Sequence, residues 1–226
     1  MCSSDLSFSS QEGFPTGVIR PESTYGWVRP DGQEVHLADL PAGEMFAQAN
    51  NEGFMARGLP FGRFSTTAAS PAGAWLGTAD SYELRYYGAS GDLERILRLD
   101  APVRAVSESD VDAYIRENVD EDTNDENRRR ELRALTREMP IPEHLPPYQA
   151  LLVDTEGYLW VEAYQLPEED VSTWTIFDDN GRVVGRLATP ARTRLLEVGP
   201  DYILGRTADE FDVESLTMWS LTRPQG

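Results

Sequence analysis

Carboxylates are the residues of this chain whose types and spacing come nearest to chemistry. The run Asp209-Glu210-Phe211-Asp212-Val213-Glu214 is dense enough to hold a hard cation such as Ca²⁺ through oxygen, with Asp209, Glu210 and Asp212 as candidate ligands. It lacks the EF-hand spacing, and in a chain with 39 acidic residues a solvated loop is the default explanation. A second set emerges when similar segments are aligned. The fifth position after a turn residue is Thr78, Glu162 and Arg206 in three successive segments, counted from Gly73, Gly157 and Asp201. Two residues further on stand Asp80, Tyr164 and Ala208, with Asp209 adjacent. Framework positions of a repeat stay alike while binding positions vary. Thr78, Asp80, Glu162, Tyr164, Arg206 and Asp209 are therefore the candidate ligand-binding residues, placed at the mouth of a central channel. The competing reading is ordinary solvation of strand ends.

Other chemistry is sparse. There are two histidines, His36 and His144, and no His-x-x-x-His or Cys-x-x-Cys pair that would hold zinc. No Gly-x-Ser-x-Gly elbow marks a nucleophilic serine, and no glycine-rich loop cradles a phosphate. The formal charge is −19, which argues against a phosphate-backbone partner and against anionic membrane surfaces. Every one of the 20 basic residues is arginine. Arg128-Arg129-Arg130 stands among acidic residues and reads as a solvated helix face.

The elements that must position these residues are hairpins. Val28–Gly32, Tyr87–Gly91, Val153–Gly157 and Phe177–Gly181 each pair an apolar residue with a glycine four positions on, and glycine supplies the positive φ of a tight turn. About 44 positions separate Gly157 from Asp201 and about 84 separate Gly73 from Gly157. A charged, helix-patterned stretch of about 43 residues lies inside the longer interval. Removing it leaves about 41, near the length of a four-stranded propeller blade. A meandering β-sandwich also has short strands and regular turns, but it has no reason to repeat one strand pattern in register. The expected fold is all-β: a partial, open β-propeller of about two full and two partial blades, with a helical insertion. Its segments are 7–60 (partial blade and connection, with Gly43 to Pro60 unpatterned), 61–103 (blade), 104–146 (helical insertion), 147–190 (blade) and 191–226 (a last blade of three strands).

In the insertion, Ser107 or Ser109 is positioned to cap a first helix, and Thr123–Glu126 has capping-box spacing for a second. Leu132, Leu135 and Met139 give that second helix one apolar stripe. The insertion is expected to fold over one end of the propeller, as a structural cap or as a lid.

Several runs resemble six-bladed β-propellers of the NHL/TolB-like kind in bacteria. They are Leu159-Trp-Val-Glu-Ala-Tyr164, Trp174 to Leu187, Tyr82 to Ile96 and the closing Asp209 to Leu221. The resemblance spans about residues 20 to 223 and implies an extracytoplasmic setting (periplasm or cell envelope). It also admits Ca²⁺-dependent hydrolases or lactonases, for which Asp80, Glu162 and Asp209 are acid ligands without a matching Asn. The resembled family has six blades, so the chain is expected to be the C-terminal part of a longer one. Residues 1–6 are what a common sequencing-adapter end would encode, and they are expected to be foreign, Cys2 included. The last, three-stranded blade then leaves an open edge prone to association. The functional expectation is a binding or scaffolding module for a protein, peptide or glycan, rather than an enzyme.

Overall fold

The turn glycines behave as their spacing predicts. Gly32, Gly91, Gly157 and Gly181 all have positive φ, between 76° and 97°, where a side chain would be strained. Each closes an antiparallel hairpin. The computed structural model describes residues 16–29, 31–50, 53–120, 125–209 and 213–223, the side chains at 49, 50, 53 and 54 aside. The expected artefact at residues 1–6, the candidate ligands Glu210 and Asp212, and Thr123 lie outside the described residues.

Five antiparallel sheets follow one another along the chain, and none of them closes on itself among the described residues. The strands β1 (Gly17–Ile19), β4 (Met45–Asn50) and β5 (Gly53–Gly58) form one sheet, and β2 (Glu22–Val28) and β3 (Glu34–Pro41) form a hairpin. Next come two complete four-stranded meanders. The first is β6 (Thr66–Ser70), β7 (Gly73–Gly77), β8 (Glu83–Gly88) and β9 (Leu93–Arg98). The second is β10 (Ala150–Val153), β11 (Leu159–Glu162), β12 (Val171–Phe177) and β13 (Val183–Pro190). The last sheet has three strands, β14 (Thr193–Val198), β15 (Tyr202–Ala208) and β16 (Glu214–Ser220). The fold is therefore all-β, open and built from repeated meanders, an order compatible with a partial β-propeller. One expectation is corrected. Gly43 to Pro60 is not a connection, because β4 and β5 pair in register from Met45↔Gly58 to Asn50↔Gly53.

Strand alternation decides how the sheets stack. In β11, Leu159 and Val161 point to one face, and Trp160 and Glu162 to the other. The first face packs with Trp75, Leu84, Tyr86 and Leu97 of the preceding meander. The second packs Trp160 and Trp174 against Leu195, Val198 and Ile203 of the last sheet. The preceding meander repeats the logic, since Ala74, Leu76 and Tyr87 on its other face meet Val35, Leu37 and Leu40 of the β2–β3 hairpin. Every residue of β7 and β11 is buried, so the second strand of each meander is sandwiched between neighbours on both faces. Gly73 lies inside β7 rather than in the turn before it. A Cβ there would lie 2.3 Å from the Tyr87 carbonyl oxygen, so glycine is needed for close approach of the strands.

The insertion docks on one end of this stack. Helix α1 (Glu108–Ile115) starts with a capping box between Ser107 and Asp110, and a π-helical turn, Arg116–Asp120, follows it. Helix α2 (Glu126–Glu138) is capped by Asp125, so the cap is not the Thr123 that the spacing suggested. Val111 and Tyr114 pack on Phe61, Leu145 and Leu166, and the Phe61 and Tyr114 rings lie 5.3 Å apart.

Asp154 ties the second meander to the last described residues. Its carboxylate accepts from the backbone N–H groups of Glu156 (3.0 Å) and Tyr158 (2.8 Å), from Trp160 Nε1 (2.9 Å) and from Arg223 (2.8 Å). Removing a buried carboxylate leaves all four donors short of a partner. Asp154→Ala is expected to cost about 2–4 kcal/mol in urea unfolding. Unchanged stability would show that the turn does not depend on this group.

Candidate functional site

Thr78 follows β7, Glu162 ends β11 and Arg206 lies within β15. The structure does not gather the six candidates at one point. Asp80 and Tyr164 line a cleft of about 790 Å³ between the sheets and the proline-rich strap Pro140–Pro147. Glu162 and Arg206 line a second cleft, of about 540 Å³, at the inner strands β6, β10 and β14. A third cleft, of about 560 Å³, lies under Tyr114, Arg116 and Asn118 of the insertion. Tyr164 is shared by the first and third clefts, and Gln149, Gln165 and Arg192 by the third and second. The three clefts therefore neighbour one another and form a row, a groove interrupted by these shared residues, with the helical insertion on the third.

Asp80 is bound into an ion network. It accepts from Arg20 (2.6 Å), Arg63 (2.8 Å) and the Thr78 hydroxyl (2.6 Å). Arg63 also bonds the buried Glu44 carboxylate through Nε at 3.0 Å and through its backbone N–H at 2.8 Å. Burial pushes the Glu44 carboxyl up, but the Arg63 bonds outweigh it and hold the group below its usual range. Two arginines against two acids make this network neutral, so Thr78 and Asp80 hold the first three segments together. Tyr148 fixes the same loop from below. Its buried hydroxyl accepts from Ala79 N–H at 3.0 Å and donates to the Glu83 carbonyl at 3.1 Å. Burial pushes the Tyr148 phenol up to about 12, and the Tyr164 phenol likewise.

Asp209 turns inward on its own loop, accepting from Val213 N–H at 2.9 Å. Arg206 pairs with Glu214 at 2.8 Å. Among the described residues no three His, Cys, Asp or Glu side chains converge as a metal site, and Asp80, Glu162 and Asp209 are not brought together. His144 and Ser81 line the first cleft, but no hydrogen bond joins them. His36 is on the surface, 3.2 Å from Asp39.

Glu162 is the candidate with an unusual environment. It is 7% exposed, and Ser172 and Gln149 hydrogen-bond it. The Ser172 hydroxyl donates to Gln165 Oε1 at 2.6 Å. Burial pushes the Glu162 carboxyl above its ordinary value of 4.5, and the neighbouring Ser172 and Gln149 side chains oppose that shift.

The cleft also holds two residues that the sequence reading passed over. Trp174 is paired directly opposite Glu162 across β11 and β12 and is 3% exposed. Thr193 opens β14 on the facing sheet and is 6% exposed. Trp174 Nε1 and Thr193 Oγ1 are both buried without a hydrogen-bond partner. A strand register drawn from Glu162 would have found Trp174, but the eight residues between β11 and β12 hide that register.

No known family model matches the chain, and a search of curated proteins finds no significant match. The class defined by the fold and this face is an all-β repeat protein with a polar groove at its strand exits.

A carboxyl whose pKa is raised by folding favours the native state most when protonated. Its contribution declines as pH rises from about 4.5 through the native pKa. Glu162→Gln keeps the hydrogen bonds without the charge. It is expected to raise the melting temperature at pH 7, with the gain fading toward pH 4. A gain that is the same at both pH values would contradict a buried Glu162 whose pKa is raised by folding.

Proposed function

We propose that the chain is a non-enzymatic binding module of the six-bladed, NHL/TolB-like propeller kind, which holds its ligand in the groove along the strand exits. The observation that carries this reading is the row of neighbouring clefts. Three clefts share their walls at Tyr164, Gln149, Gln165 and Arg192, along the positions where the repeat varies most. Concave, partly apolar sites of several hundred Å³ are where proteins take ligands. The neutral ion network at Asp80 and the insertion packed on Phe61 and Leu166 supply rigid walls. The groove offers polar and aromatic groups, and among the described residues no metal-ligating set converges there. An extracytoplasmic bacterial setting follows from the same resemblance.

The test is a screen of the whole chain against peptide and glycan arrays, followed by hydrogen exchange with the best hit. Protection is expected at residues 147–152, 163–170 and 190–195. Hits that protect only the outer face of β16, or no hits at all, would overturn the assignment. Millimolar Ca²⁺ is expected to leave the melting temperature unchanged. A clear upward shift would instead indicate a bound cation and revive the metal-assisted hydrolase reading.

A further inference from the structure

The three clefts differ in charge. The first sets Glu44, Asp80, Asp100 and Glu143 against Arg63 and Arg104. The third sets Glu117, Glu168, Glu169 and Asp170 against Arg116 and Arg192. The second reverses the balance, with Arg192, Arg194 and Arg206 against Glu162 and Glu214. Acids outnumber arginines about two to one along the whole chain, so this reversal is local.

Strand pairing brings two of these arginines together. Arg194 of β14 and Arg206 of β15 are direct cross-strand partners, so both side chains leave the same face of the last sheet. Like charges set opposite one another on adjacent strands repel, and the pair costs stability within the protein. Glu214 offsets one of them, bonding Arg206 at 2.8 Å. Arg194 is exposed and makes no hydrogen bond or ion pair among the described residues. Glu162 does not serve either arginine, because its hydrogen bonds go to Ser172 and Gln149. Half-buried Thr66, Thr67 and Thr207 add hydroxyls to the lining.

Opposed guanidiniums beside hydroxyls are the chemistry that recognises an oxyanion, since each planar fork donates in pairs to carboxylate or phosphate oxygens. An anion between Arg194 and Arg206 turns their repulsion into two attractions. A neutral ligand leaves the repulsion in place, and a cation adds to it.

We propose that the second cleft is an oxyanion site, in which Arg194 and Arg206 hold a carboxylate or phosphate group of the groove's ligand. The proposal rests on the groove being the binding face and names the charged end of what it takes. The acid-rich first and third clefts set the rest of that ligand. Its body is neutral or cationic, because a polyanion running along the groove meets carboxylates in both.

The test uses the whole chain at low ionic strength, titrated by calorimetry with inorganic phosphate, with citrate as the carboxylate source and with glycerol as the neutral control. Phosphate or citrate is expected to bind and glycerol is not, and the tighter of the two anions assigns the source. Arg194→Gln and Arg206→Gln are each expected to weaken that binding about tenfold or more, the loss of a charge-assisted hydrogen bond. Arg194→Gln also removes the like-charge opposition, so its melting temperature is expected to match or exceed the parent's, which separates lost binding from lost folding. Arg128→Gln, on helix α2 and outside the three clefts, is expected to bind like the parent. The oxyanion site is overturned if neither anion binds, or if both cleft variants bind like the parent. It is also overturned if Arg128→Gln weakens binding as much as they do, the sign of a diffuse charge effect. Array hits that protect the groove while both anions fail would retain the groove as the binding face and remove the oxyanion site. Failure of the arrays and the anions alike would remove both.

Discussion

The structure depends on second strands that are buried on both faces. In β7 and β11 no position faces water, so each meander has an apolar neighbour on either side, and the sheets have to stack. That constraint produces the three successive cores around Tyr87, Tyr148 and Trp160. It also bears on the site. Glu162 is the last residue of such a run, which explains how a carboxyl is 7% exposed in a chain of net charge −19.

The same constraint leaves one sheet incomplete. The outer face of β14–β16 carries Leu216 and Met218, 71% and 65% exposed. The inner end of the same sheet lines the second cleft. Asp154 closes the turn of the second meander onto Arg223.

Much of the framework was legible because it rests on local chemistry. Turn glycines announce positive φ, and apolar runs such as Ala74-Trp75-Leu76 and Leu159-Trp160-Val161 announce burial on both faces. The β4–β5 hairpin was not legible. Met45-Phe-Ala-Gln-Ala49 is built from residues without β-branching, and pairing with β1 on one side and β5 on the other makes it a strand. The site was legible in part for the same reason. Counting from turns put Thr78 just past β7, Glu162 at the end of β11 and Arg206 two residues before the end of β15. It could not show that Arg20 and Arg63, from distant segments, neutralise Asp80. Nor could it show that Trp174 and Thr193 line the same cleft as Glu162, because that juxtaposition arises across a long loop and between two sheets.

The most direct measurement is a crystal structure of the chain. The account predicts sheets stacked through β7 and β11, with every position of both strands buried and Asp154 bonded to Trp160 and Arg223. A structure in which either strand turns a face to water would contradict it.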